Sequence, residues 1–250
     1  MTWETEPLKY IIENYEFLVL GAVTLIFILV TVFISGKMIY QGIKNDNTSI
    51  SYVGVVFFGI ASLWFGVALN FLSVLILRTI PPLELYFIMH GGLVAFVIPF
   101  GIAAITELLV YEDKTRKVLI SIALIFAGVM ELIYLIVIFT DIELLGTQKA
   151  PIQVEYGIFS YIYLSILLGI FLFFAGNFIK ESLSSMEPVV KLKGKVLLAS
   201  LIIFSFGCIL EVFFRDIWIF VVARILMMIS AISFYMGFLM PKKVKNALLK

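Results

Sequence analysis

Long apolar runs separated by short polar breaks dominate the chain. They fall near 17–40, 51–77, 84–111, 117–140, 155–179, 194–214 and 217–240. Each run is long enough to cross about 30 Å of hydrocarbon as a helix, which takes about 20 apolar residues. The pattern predicts an all-α integral membrane protein with seven transmembrane helices over residues 17–240. Residues 1–16 form a short extracytoplasmic lead, and residues 241–250 a short basic cytoplasmic tail. Pro7 is placed to open a helix that runs on into the first span. The longest connections are 141–154 and 180–193, too short for a soluble domain.

Within the runs, small and polar residues recur at helical spacing. Helix 2 carries Gly59, Ser62, Gly66, Asn70 and Ser73 on one face, and helix 3 carries Gly92, Ala95, Pro99, Ala103 and Thr106. Pro99 is expected to kink its helix, because it removes a backbone donor and crowds the preceding turn. Small residues let membrane helices approach closely, so packing accounts for most of these stripes. A weak internal repeat relates helices 2 and 6, where Gly66-Val-Ala-Leu-Asn70 aligns with Gly207-Cys-Ile-Leu-Glu211.

Orientation follows from where the cations fall. Thirteen lysines and arginines lie on the side that holds Lys44, Arg116, Lys193 and the tail, and four on the side that holds Lys9, Arg78, Lys149 and Arg215. By the positive-inside rule the N-terminus is outside and the C-terminus cytoplasmic, in a multi-pass protein of the cell membrane. Tyr10, Tyr15, Tyr86, Tyr156 and Trp218 then fall at the outer interface, and Tyr40, Tyr52 and Tyr111 at the inner one. Glu107 lies one turn from the inner end, within reach of Arg116 or Lys117. The residues Trp3-Glu-Thr-Glu6 are acidic, unlike the basic start of a cleavable signal.

Composition then narrows the chemistry. The chain is 62% hydrophobic with a net charge of +1, which points to the lipid bilayer as its solvent and away from nucleic acid. One histidine and one cysteine are too few for a zinc-hydrolase or haem site, and one cysteine forms no intrachain disulfide. The chain contains neither a G-x-S-x-G nucleophile setting nor a P-loop. The expectation is a non-enzymatic protein without a cofactor.

The candidate chemistry is a set of polar residues inside the spans. An ionisable residue at membrane depth is expensive and takes a partner or faces a cavity. At about 1.5 Å of rise per residue, Asn70, Glu131 and Arg224 come to lie roughly 12–13 Å below the outer surface, and Glu211 about 5–7 Å. These four residues, from helices 2, 4, 6 and 7, are expected to converge on one layer. Arg224 should meet Glu211, Glu131 or both. The functional reading is the floor of an outward-facing pocket for a small polar or anionic-headed ligand, or a proton site. The alternative is a satisfied ion-pair network that only fixes the helices. His90 points about 160° away from the helix 3 stripe at 100° per residue, which places it at a helix interface or among headgroups.

The topology resembles microbial rhodopsins and G-protein-coupled receptors. Helix 7 nevertheless lacks the retinal lysine and carries Arg224, so no retinal imine is expected. The receptor signatures are replaced by Val110-Tyr-Glu-Asp113 and by Phe234-Tyr-Met-Gly-Phe-Leu-Met-Pro241. A closer likeness lies in Gly207-x-x-Leu-Glu211, Ala223-Arg224-Ile-Leu and Gly237-Phe-Leu-Met-Pro241. These stretches, mainly in the last two helices, resemble the seven-helix input modules of archaeal and bacterial sensor kinases. The resemblance implies a receptor- or sensor-like module, and with only ten residues after helix 7 it would signal through a separate cytoplasmic partner. A small-solute or proton-coupled transporter using the same residues is the rival reading, and a membrane scaffold subunit the third. Transport requires an inner-half polar path, and the residues below Arg224 are mostly Leu, Ile, Phe and Met.

Overall fold

The computed structural model describes residues 3–109 and 112–240; Tyr111 and the basic tail 241–250 lie outside the described residues. The chain is helical almost throughout. Among the described residues six helical stretches are long and apolar enough to cross a membrane, or seven if a bent pair counts as one span. The protein is accordingly an α-helical membrane protein.

The lead is a separate helix, α1 (Pro7–Glu13), with Pro7 in its first turn. It does not run on into the first span, because the backbone leaves helical geometry at Asn14, whose side-chain amide donates to the Tyr10 carbonyl at 2.8 Å. The first span is α2 (Tyr15–Lys44). The second apolar run is broken into α3 (Thr48–Ser62) and α4 (Phe65–Leu77), bent by 54°. No glycine or proline lies at the break. Ser62 turns its hydroxyl back onto the Gly59 carbonyl at 2.7 Å, and the Leu63 and Trp64 amides take three-residue bonds to Ile60 and Ala61. Serine back-bonding of this kind bends helices.

The third span is also interrupted. It comprises α5 (Leu83–Gly91), a short 3-10 turn (Val94–Phe96) and α6 (Val97–Leu108). Pro99 lies in the first turn of α6, where its missing amide is harmless, and the irregular turn runs through Ala95, four residues upstream of its ring. The irregularity associated with Pro99 therefore falls before it. The remaining spans are continuous: α7 (Asp113–Thr140), α8 (Ile158–Ser184), α9 (Pro188–Phe213) and α10 (Ile217–Leu239). Asp216 caps α10 by accepting from the amides of Trp218 at 2.9 Å and Ile219 at 3.2 Å.

The connection after α7 holds an element that the apolar pattern does not announce. Strands β1 (Gly146–Ala150) and β2 (Gln153–Tyr156) form an antiparallel hairpin. Leu145, Ala150 and Ile152 are buried, so the hairpin folds onto the helices rather than standing in solvent. Glu155 ties it to the α9–α10 turn through an ion pair with Arg215, and Lys149 lies 3.6 Å from the same carboxylate.

The helices close a ring. α2 packs on α3, α3 on α6, α6 on α8, α8 on α9, α9 on α10, and α10 back on α2. α7 stands outside it, against α5 and α6. The lysine-rich end is stapled by Glu107, which meets Arg116 at 2.7 Å and accepts from the Thr48 hydroxyl.

Candidate functional site: a paired arginine and an interior cavity

The α9–α10 pair approaches closely where Gly207 faces Ala223 and Met227. A Cβ on Gly207 would lie 2.9 Å from Met227 Cγ. Close approach at this point places Glu211 of α9 beside Arg224 of α10, and the two form an ion pair. Arg224 is buried, with 6% of its surface exposed. Two residues outside this helical pair complete its shell. Trp64, carried by the bend between α3 and α4, donates its indole N–H to Glu211 Oε2 at 3.3 Å and sets its ring face 5.0 Å from the guanidinium carbon. From α2, Thr24 accepts from Arg224 Nε at 3.4 Å while donating its own hydroxyl to the Leu20 carbonyl at 2.7 Å.

A buried charge in this setting is tolerable because its attraction to the partner and its hydrogen bonds offset the loss of water. A guanidinium over an indole face adds about 0.5–2 kcal/mol. Trp64 and Thr24 were not singled out from the sequence. The available signal was a tryptophan in mid-span, far from either interface, since a buried indole N–H requires an acceptor.

Inside the ring lies a cavity of about 280 Å³. Glu211, Trp64, His90, Tyr156 and Tyr161 line one part of its wall. The rest is built mainly from apolar side chains, among them Phe57, Ile102, Phe171, Phe204 and Phe234, and reaches Leu108 and Phe238 towards the lysine-rich end. The chamber is thus an apolar barrel with a polar end.

His90 belongs to that end. It is 4% exposed and sandwiched between Tyr86, stacked at 5.7 Å, and Tyr156, stacked at 5.1 Å. The expected position, turned away from the site, assumed one unbroken helix from His90 to Thr106. The irregular turn after Gly91 removes that phase relation and leaves His90 on the cavity wall. Neither ring nitrogen has a hydrogen-bond partner among the described residues. Tyr156 also belongs to this end. The hairpin carries it inward, where its ring stacks on His90, and burial holds its hydroxyl well above the usual phenol range.

The other two expected site residues lie elsewhere. Glu131, on α7, is buried beside Gly92 and faces the Tyr163 hydroxyl, and among the described residues no cation lies within ion-pair distance of it. Its neighbours are aromatic. Tyr134 donates to the Phe87 carbonyl at 3.0 Å and stacks on Tyr163 at 4.8 Å. α7 packs outside the ring that holds α9 and α10, so equal depth does not bring Glu131 to Arg224. Asn70, on α4, is fully buried, and neither of its polar atoms has a hydrogen-bond partner among the described residues. Of the four residues read from the sequence, Glu211 alone lines the cavity; Arg224 stands behind it, and Asn70 and Glu131 line no part of the wall.

Among the described residues no three histidine, cysteine or carboxylate side chains gather as metal ligands. The chain matches no family model, no curated protein and no solved structure.

Proposed function

We propose that the chain is a receptor- or sensor-like protein of the cell membrane, with seven spans, that takes a ligand into the interior cavity. In this reading the bent pair α3–α4 counts as one span, the N-terminus is outside and the lysine-rich end faces the cytoplasm, where a separate protein receives the signal. The observation that carries it is a roomy apolar chamber within the helix ring whose polar end holds Glu211 of the Arg224 pair. Ligand pockets in proteins are concave, mostly apolar and marked by a few polar groups that fix orientation. Occupancy would press on α9 and α10, which run to the lysine-rich end and are joined near the polar end by a turn of three residues, Phe214, Arg215 and Asp216.

A carrier using the same pair requires a polar route onward from Glu211. The wall from Phe57 to Phe238 supplies little of one, which favours a chamber over a channel. Reconstitution into liposomes with a pH-sensitive dye inside tests the choice. Under an imposed proton gradient the expected flux equals that of empty liposomes. Protein-dependent flux that disappears in Glu211→Gln would overturn the receptor reading in favour of a proton-coupled carrier. Orientation is checked by labelling single cysteines at Ser184 and Thr147 in intact cells, in a Cys208→Ala background. Thr147→Cys should react and Ser184→Cys should not; the reverse pattern inverts the topology.

A further inference from the structure

The cavity wall also carries information about what it would hold. Beside the Tyr156 and Tyr161 hydroxyls, which can donate or accept, the polar end presents acceptors. Glu211 is a carboxylate whose Oε1 meets Arg224 and whose Oε2 takes the Trp64 N–H, which leaves further lone pairs unused. Neutral His90 offers one donor and one acceptor. Neither ring nitrogen has a hydrogen-bond partner among the described residues, so whichever one carries no proton is left with a lone pair without a donor. A buried polar atom left unmatched is costly, and groups of this kind in folded proteins normally find a partner.

Charge narrows the partner further. Arg224 is already matched by Glu211 and covered by the Trp64 ring, so an incoming anion would compete with a carboxylate already in place. An incoming cation would be set against the guanidinium. An uncharged donor meets neither obstacle. Beyond the polar end the wall turns to Val97, Ile102, Leu168, Phe171 and Phe234, which suit a hydrocarbon tail.

We infer that the cavity binds an uncharged, elongated amphiphile, a long-chain alcohol in chemical class, with its hydroxyl donating to His90 at the Glu211 end and its tail running toward Phe238. This rests on the receptor reading, because it takes the cavity to be the ligand chamber. It replaces the small polar or anionic-headed ligand expected from sequence with a neutral-headed one.

Trp64 lines the cavity and so reports on occupancy. Trp3→Phe and Trp218→Phe leave Trp64 as the only tryptophan of the chain. That protein, in nanodiscs of unbrominated phosphatidylcholine, is titrated with dodecanol brominated on the carbon next to the head. Dodecanoate and dodecane brominated at the matching position are run in parallel, all three compared at equal mole fraction in the membrane. The expected result is saturable quenching by the alcohol at a mole fraction about fivefold lower than by the alkane, the worth of one net hydrogen bond. His90→Phe keeps a ring between Tyr86 and Tyr156 and removes both nitrogens. It should bring the alcohol to the level of the alkane without changing the alkane. Gly101→Phe should abolish saturable quenching by all three, since Gly101 lines the cavity and its Cβ position is open, with Val56 Cγ2 at 3.8 Å. Tighter binding of dodecanoate than of dodecanol, or alcohol binding unchanged in His90→Phe, would overturn the neutral-headed assignment and leave the chamber standing. Quenching that never saturates with any of the three probes, and does not respond to Gly101→Phe, would overturn the chamber and the receptor reading together.

Discussion

Two carboxylates sit within the apolar helices of this bundle, and their surroundings differ completely. Glu211 meets an arginine, an indole N–H and the wall of a cavity. Glu131 meets the Tyr163 hydroxyl, the Gly91–Gly92 turn and the Tyr134 ring system, with no cation in reach. The difference lies in helix neighbourhood. Glu211 sits on a ring helix whose partner across a three-residue turn carries the arginine, whereas Glu131 sits on α7, outside the ring. Depth in the membrane is set by sequence position; contact is set by which helices touch. The first carboxylate has a cation beside it, and the second has none within ion-pair distance among the described residues.

Breaking the first region should cost most. Arg224→Met leaves Glu211 buried without its cation, and removing one member of a buried pair typically costs about 3–5 kcal/mol. Unfolding by denaturant in mixed micelles should show that loss, and Arg224→Met with Glu211→Gln should recover part of it. Equal stability of the single variant and the parent would contradict the account.

The aromatic region around Glu131 should respond to crowding rather than to charge. A Cβ on Gly91 would collide with the Tyr134 ring and hydroxyl, so Gly91→Ala should destabilise by about 1–3 kcal/mol, as overpacking does. Gly128, with open space around its Cβ position, is the control on α7, and Gly128→Ala should be neutral or slightly stabilising. The same denaturation assay compares them. Glu131→Gln should have the smallest effect, within about 1 kcal/mol, because no partner charge is left behind. A loss as large as that of Arg224→Met would mean that Glu131 answers a cation after all.

Much of the frame was legible in the chain. Apolar run length located the spans, because the hydrocarbon thickness imposes it, and Glu107 with Arg116 was readable from their positions at one helix end. The ion pair of Arg224 with Glu211 was readable too, since a short turn between two apolar helices holds their ends together. What escaped was local irregularity. The break at Trp64 has no glycine or proline to mark it, yet it turns the indole toward Glu211. His90 was misplaced because a helical phase of 100° per residue was carried through a turn that is not α-helical. The hairpin at 146–156 is too polar and too short to register in an apolar pattern, although it brings Tyr156 onto His90. The expected convergence of Asn70 and Glu131 on Arg224 failed for one reason: a sequence gives depth along the membrane normal but not order around the ring.

The contrast between the two carboxylates is tested most directly by a pair of double-mutant cycles. One combines Arg224→Met with Glu211→Gln and the other Arg224→Met with Glu131→Gln, each measured as the free energy of unfolding in the same micelles. Groups in contact couple by about 0.5–3 kcal/mol, and separated groups add within about 0.3–0.5 kcal/mol. The account predicts strong coupling in the first cycle and additivity in the second. Coupling of Arg224 to Glu131, with Glu211 additive, would contradict it.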